Sequence, residues 1–148
     1  MKKKLKTLLW SSRPVSWINT AFPFAAGYLL AHGTDVPVLF WVATFYFLIP
    51  YNMLIYVIND IYDYESDMQN PRKGGVEGAV LPKELHRFMF WAVIVCNVPF
   101  VLYLLVASNG FSWLILALSV FDAAAYSVPK LRFKERPIID SVSSSFHF

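Results

Sequence analysis

One cysteine, Cys96, is all that the 148 residues offer, and it lies inside an apolar run. No disulfide, CxxC pair or zinc site can form within one chain on that supply. Charge is scarce as well. Asp, Glu, Lys and Arg make up 16% of the chain against 57% hydrophobic and 18% aromatic residues, an excess that the core of an ordinary soluble domain does not need. The scarcity is uneven: Val36 to Ile58 carry no ionisable side chain other than tyrosines, and Phe88 to Phe121 form a second uncharged stretch broken only by Ser108-Asn109-Gly110. Low complexity and long linkers are absent, so residues 1–148 read as a single domain. The opening Met1-Lys2-Lys3-Lys4-Leu5-Lys6 resembles the basic start of a signal peptide, yet Arg13 and Pro14 interrupt any apolar region and no A-x-A site follows, so it reads as uncleaved.

What is present is lipid-soluble length. A bilayer span needs about 20 mostly apolar residues. Pro14 to Thr34, Val36 to Ile58, Phe88 to Ala107 and the shorter Phe111 to Tyr126 supply four, and a fifth apolar segment opens at Ile138. The expected fold is all-α: a polytopic transmembrane helix bundle with four complete spans and the start of a fifth. The 13 Lys and Arg fall before span one, between spans two and three, and after span four, with none in the turns after spans one and three. Basic residues in short loops mark the cytoplasmic side, so a multi-pass cell-membrane protein with its N-terminus and both charged loops in the cytoplasm is expected. Leu5, Leu8 and Leu9 share one helical side, so residues 2 to 12 read either as a helix along the headgroups or as a solvated basic tail. The net charge of +3 accompanies no nucleic-acid motif.

Polar residues at membrane depth are few. Asn19, Asn52 and Asn97 read as interhelical hydrogen-bonding groups, and Pro23, Pro50 and Pro99 as kinks whose freed carbonyls neighbouring helices satisfy. Asp122 is more costly, about 2.5 to 3.5 kcal/mol at the bilayer centre by insertion scales, and is expected to point into the bundle.

The chemistry concentrates at the end of the second span, in Asn59-Asp60-x-x-Asp63-x-x-x-Asp67. At helical spacing these four project at about 0°, 100°, 40° and 80°, within one quadrant. Clustered carboxylates repel unless cations are bound. An all-oxygen set favours magnesium, which takes one or two carboxylates plus phosphate oxygens. An acidic helix end facing water would explain a bare DxxD, and Glu65 reads that way. Here the turn Met68-Gln69-Asn70-Pro71-Arg72-Lys73-Gly74-Gly75 follows, bringing Arg72 and Lys73 over the same place. A second basic loop, Tyr126 to Pro137 with Lys130, Arg132, Lys134 and Arg136, leads to Asp140.

These features resemble the UbiA superfamily of intramembrane prenyltransferases. The resemblance rests on Arg13-Pro14-x-x-Trp17 with Pro23 and Gly27, on Asn59 to Asp67, and on Tyr126 to Asp140. Within that superfamily, Ser12 to Thr20, Asn70 to Pro82 and Lys130 to Asp140 look like the actinobacterial lycopene elongases. The resemblance implies two Mg2+ ions holding an allylic diphosphate, which ionises to an allylic cation captured by a lipophilic acceptor in the bundle. Asn59 and Asp63 would bind one ion and Asp140 help bind the other, supported by Asp60 and Asp67. Arg72, Lys73, Lys130 and Arg132 would hold diphosphate. Asp63, Asp67, Lys130 and Tyr126 would stand at the reacting centre. Donor and acceptor would be dimethylallyl diphosphate and lycopene, with water quenching the new tertiary cation. One departure is Ser144, where many relatives repeat an acid four residues after the position of Asp140. The resemblance also implies nine helices, so the chain, which reaches Phe148 about ten residues into a fifth segment needing about 20, is expected to be the front half of a longer protein and inactive alone. Three other readings are an acceptor that is an aromatic or quinone precursor, a transporter lined by Asn52, Asn97 and Asp122, and an inactive fragment.

Overall fold

In the computed structural model, which describes residues 2–71, 73 and 80–147, all regular structure is helical. Helix α1 is Lys2–Ser11 and α2 is Trp17–His32. The long α3 is Val38–Tyr62, continued by a single turn α4, Tyr64–Asp67. Then come α5, Lys83–Ala107, α6, Gly110–Ala125, and α7, Pro137–His147.

The helix limits follow local chemistry. Gly33 ends α2 with φ 70°, a backbone that side-chain-bearing residues avoid. Pro37 and Pro82 stand just before α3 and α5, where a missing N–H costs nothing. Two helices, α3 and α5, each of 25 residues, are long and apolar enough to cross a bilayer. They extend the expected second and third spans, to Tyr62 at one end and back to Lys83 at the other. The first and fourth expected spans appear as α2 and α6, each of 16 residues.

Helix α3 is the inner element: half of its apolar stretch is buried, against 22% for α5. Around it are two cores. One joins Leu8 of α1 with Met53, Val57 and Ile58 of α3 and Met89 and Val93 of α5. The other joins Ala43, Tyr46, Tyr51 and Ile55 of α3 with Leu104 of α5 and Leu116 and Ala123 of α6. The buried Leu8 anchors α1 to the bundle while Leu5 and Leu9 stay exposed, so the basic N-terminus is an ordered amphipathic helix. The outer faces of α2, α5 and α6 are apolar and bare, as Leu30, Val106 and Phe111 illustrate. Such contiguous exposure marks lipid or protein contact.

Polar side chains stitch the kinked middle of α3. Pro50 cannot donate to the turn before it, and a π-helical turn follows at Met53–Val57. Asn52 Nδ2 donates to the Phe47 and Leu48 carbonyls at 2.8 and 3.1 Å and to Thr20 Oγ1 at 2.7 Å. Thr20 in turn donates to the Phe47 carbonyl at 2.6 Å, and Asn97 Nδ2 to the Pro50 carbonyl at 2.9 Å. Asn52 and Asn97 thus join α2, α3 and α5, while Asn19 stands exposed on α2. Asp122 of α6 accepts from Ser143 of α7 at 2.9 Å on each oxygen, inside the bundle as expected. Because Asn52 is wholly buried, Asn52→Leu should cost about 1–3 kcal/mol by leaving its partners unmatched. The melting temperature of the detergent-solubilised chain measures this, and an unchanged value would contradict it.

Candidate acidic site at one end of the bundle

The acidic residues sit where α3 gives way to α4. Asp63 forms the joint, with φ −94° and ψ 2°, yet its N–H still bonds the Asn59 carbonyl at 2.9 Å and its own carbonyl accepts from Asp67 N–H at 2.8 Å. Helical phase therefore survives the joint approximately, and the four side chains stay on one side. They do not form a single quartet. The helical angles already separate them, about 0° and 40° for Asn59 and Asp63 against about 100° and 80° for Asp60 and Asp67. The structure resolves that difference into two pairs.

Asn59 and Asp63 share one cation. Lys134 Nζ donates to Asn59 Oδ1 at 2.9 Å and to both Asp63 oxygens. Ser127 Oγ donates to the same Asn59 oxygen at 2.9 Å, and Arg132 Nη2 lies 3.5 Å from Asp63 Oδ1. Asp60 and Asp67 share Lys73, whose Nζ is 3.1 Å from Asp60 Oδ1 and 2.7 Å from Asp67 Oδ2. Arg13 Nη2 approaches Asp60 Oδ1 at 3.5 Å, and its guanidinium lies 4.5 Å above the Tyr56 ring. Asp60 is fully buried, and its second oxygen, Oδ2, has no hydrogen-bond partner among the described residues.

The Tyr126 hydroxyl is within hydrogen-bonding reach of Asp140 and Ser144. Ser144 Oγ donates to Asp140 Oδ1 at 3.4 Å. Asp140 stands in the first turn of α7, so the three form a group across the end of α6. Ser144 thus supports Asp140 where the sequence reading looked for a second acid.

Of the residues singled out from sequence, Asn59, Asp60, Asp63, Asp67, Lys73 and Arg132 meet in this network, and Asp140 and Tyr126 meet each other. Lys130 does not join them: it is exposed, with φ 78° on the outside of its turn. Lys134, four residues on, has the position instead, because the turn Phe133–Glu135 swings it inward. Arg72 lies outside the described residues. Arg13, Ser127 and Lys134 were missed as ligands. The concentration of cations in two loops was legible, but no spacing tells which cation of a loop reaches a carboxylate 71 residues away. Glu65 pairs with Lys83 at 2.6 Å in full view of solvent, in keeping with its reading as a solvated acid. Asn52, Asn97 and Asp122 are engaged with partners in the bundle, which gives a transport path lined by them no support.

Asp60, Asp63 and Asp67 each have a cation, and Arg132 Nε also holds Glu135 at 2.6 Å. Among the described residues, no three acidic, His or Cys side chains gather around one point. The arrangement can hold a hard cation only if oxygens of another molecule complete its shell.

The sequence profile of the UbiA prenyltransferase family matches residues 20–148. A lycopene elongase/hydratase of Corynebacterium glutamicum is 55% identical over all 148 residues, which cover 51% of that protein. The C(50) beta-cyclic carotenoids biosynthesis protein LbtBC of a Dietzia species is 53% identical over 144 residues, 97% of this chain and 33% of that one. A lycopene elongase/hydratase of Halobacterium salinarum is 35% identical over 141 residues, 92% of this chain and 49% of that one. The chain thus spans about half the length of the elongase/hydratases it matches. No solved structure matches it.

Proposed function

Since the chain belongs to the UbiA prenyltransferase family, we propose that its acidic site serves magnesium-dependent transfer of a prenyl group from an allylic diphosphate to a lipophilic acceptor. The donor in this reading is dimethylallyl diphosphate, the acceptor is lycopene, and water captures the resulting tertiary cation. The names of the relatives favour a carotenoid over an aromatic or quinone acceptor. The observation that carries the reading is the meeting, at one end of the bundle, of Asn59, Asp60, Asp63 and Asp67 with cations from three separate segments: Arg13, Lys73, and Arg132 with Lys134.

The residues suit magnesium. The donors are all oxygen, and Asn59 Oδ1 and both Asp63 oxygens already turn toward a single positive centre, the Lys134 ammonium. Asp60 Oδ2 is a buried oxygen with capacity to spare. Three carboxylates, Asp60, Asp63 and Asp67, meet four cations, one of which, Arg132, also serves Glu135, so little positive charge is left over for a diphosphate, and magnesium typically completes its shell with phosphate oxygens. Asn59, Asp60, Asp63, Asp67 and Asp140 would hold the ions. Bound magnesium supplies charge neutralisation of the departing diphosphate. Lys73, Arg132 and Lys134 stabilise the same developing charge through fixed cationic donors, while Asp60 keeps Arg13 and Lys73 in place. Tyr126, beside Asp140, is the residue assigned to the allylic cation, whose charge an aromatic face stabilises.

The test uses the chain in bilayer nanodiscs. Binding of a thio-substituted, non-ionising dimethylallyl diphosphate should require Mg2+ and disappear with EDTA. Magnesium-independent binding, or none by a folded chain, would sink the reading. Product formation from lycopene is followed in parallel by mass spectrometry.

The same proposal includes four spans, with α2 and α6 crossing beside α3 and α5, and the acidic site in the cytoplasm. In a chain with Cys96 replaced, a cysteine at Asp35 should react with an impermeant maleimide added outside, and one at Gln69 should not. The reverse labelling would invert the topology.

A further inference from the structure

At the end of the bundle away from the acidic residues, α2, α3, α5 and α6 line a half-open cavity of about 630 Å³. Its wall includes Phe24, Leu39, Phe47 and Leu116, and its outer rim carries His32 and Ser112. Among the described residues no Lys, Arg, Asp or Glu lines it, so these offer no charge to a diphosphate. Phe24 and Phe47 stack at 4.9 Å, and Tyr28 stacks on His32 at 4.4 Å, giving flat, preformed aromatic surfaces.

Helix α6 links the cavity to the Tyr126–Asp140 group. On α6 the lining residues Ser112, Ile115, Leu116 and Ser119 continue in steps of three and four to Asp122 and Tyr126, so all lie along one helical face. From Ser112 to Tyr126 the rise is about 21 Å. A five-carbon donor group held at the acidic site is too short for that distance. A rigid conjugated acceptor is not: with one terminal alkene at the reacting centre, its stiff chain cannot fold back and must run straight on.

We infer that this cavity binds the far, non-reacting end of a rod-like polyene acceptor. The inference rests on the prenyl-transfer reading above, and it gives the acceptor a second anchoring point that sets how deep the reacting end sits. The aromatic wall suits the flat polyene.

Photocrosslinking tests it in membranes of lycopene-making cells. p-Benzoylphenylalanine replaces Leu39, in the cavity wall, or Val106, 88% exposed on the outer face of α5. After irradiation, mass spectrometry of the chain should find a lycopene adduct at position 39 at least about tenfold above that at position 106. Ala43→Trp fills the cavity from α3 and should lower the adduct about tenfold, the effect of an overpacking penalty near 1.4 kcal/mol. As Ala43 is buried, Ser112→Trp on the exposed rim provides a second block less dependent on refolding of the core. Equal adducts at both positions, only phospholipid adducts at position 39, or indifference to both tryptophans would overturn the inference. Prenyl transfer and diphosphate binding are scored in the same membranes. Transfer without a cavity adduct rejects the anchoring point and spares the function, whereas a cavity adduct without diphosphate binding rejects the function and supports the polyene site.

Discussion

Carried in a protein of its relatives' full length, Asp63→Ala should reduce prenylated carotenoid in lycopene-making cells by at least about 100-fold, the scale on which losing one preorganised electrostatic group acts, with the amount of membrane-inserted protein unchanged. Asp63 supplies two of the three oxygens that meet at Lys134 Nζ. Asp63→Asn keeps the shape and loses the charge, and should be crippled nearly as far. Either change also leaves Lys134 without its carboxylate, while Arg132 keeps Glu135, so misfolding has to be separated from lost chemistry. The double variant Asp63→Asn with Lys134→Met removes the stranded ammonium. It should recover any lost thermal stability and recover no transfer. Activity restored by the second substitution would mean that Asp63 matters only as a counter-ion.

The second large effect concerns stability. Asp60→Leu should destabilise the chain by about 3–5 kcal/mol, because breaking a buried ion pair from one side strands the charges on the other. Those charges are Arg13, 24% exposed, which loses its carboxylate, and Lys73, 6% exposed, which keeps only Asp67. Thermal unfolding in detergent, followed by circular dichroism, reads the loss. Glu65→Ala, which breaks the ion pair whose side chains are 63% and 81% exposed, should leave the melting temperature where it is, since exposed pairs contribute little. Equal behaviour of the two variants would show that the Asp60 network is as solvated as the surface pair.

The helical class and the acidic end of α3 were legible because they depend on short-range pattern: uncharged runs of bilayer length, and oxygens repeated at helical spacing. Asn59, Asp60, Asp63 and Asp67 could be placed on one side by counting. Their division into two pairs turned on differences of about 40° to 100° in helical angle, which counting resolves poorly when a π turn and a joint at Asp63 interrupt the helix. The cations were a different problem. Arg13 reaches Asp60 across 47 residues and Lys134 reaches Asn59 across 75. Which lysine of a basic loop points inward depends on a tight turn, Phe133–Glu135, entered through Arg132 at φ 37°. Such left-handed backbone at a non-glycine residue is dictated by tertiary contacts, and local sequence does not announce it.

The wide separation of partners has a consequence for biosynthesis. When Asp60 leaves the ribosome, Arg13 has already been made, and Lys73 follows 13 residues later. Asp63 must wait for Lys134, 71 residues further on, which at about 5–20 residues per second is a delay of roughly 4–14 s. During that interval α5 and α6 are still being made, and the Asp63 carboxylate lacks the lysine that it finally meets. The nascent chain therefore passes through a stage in which one half of its acidic end is already charge-matched and the other is not.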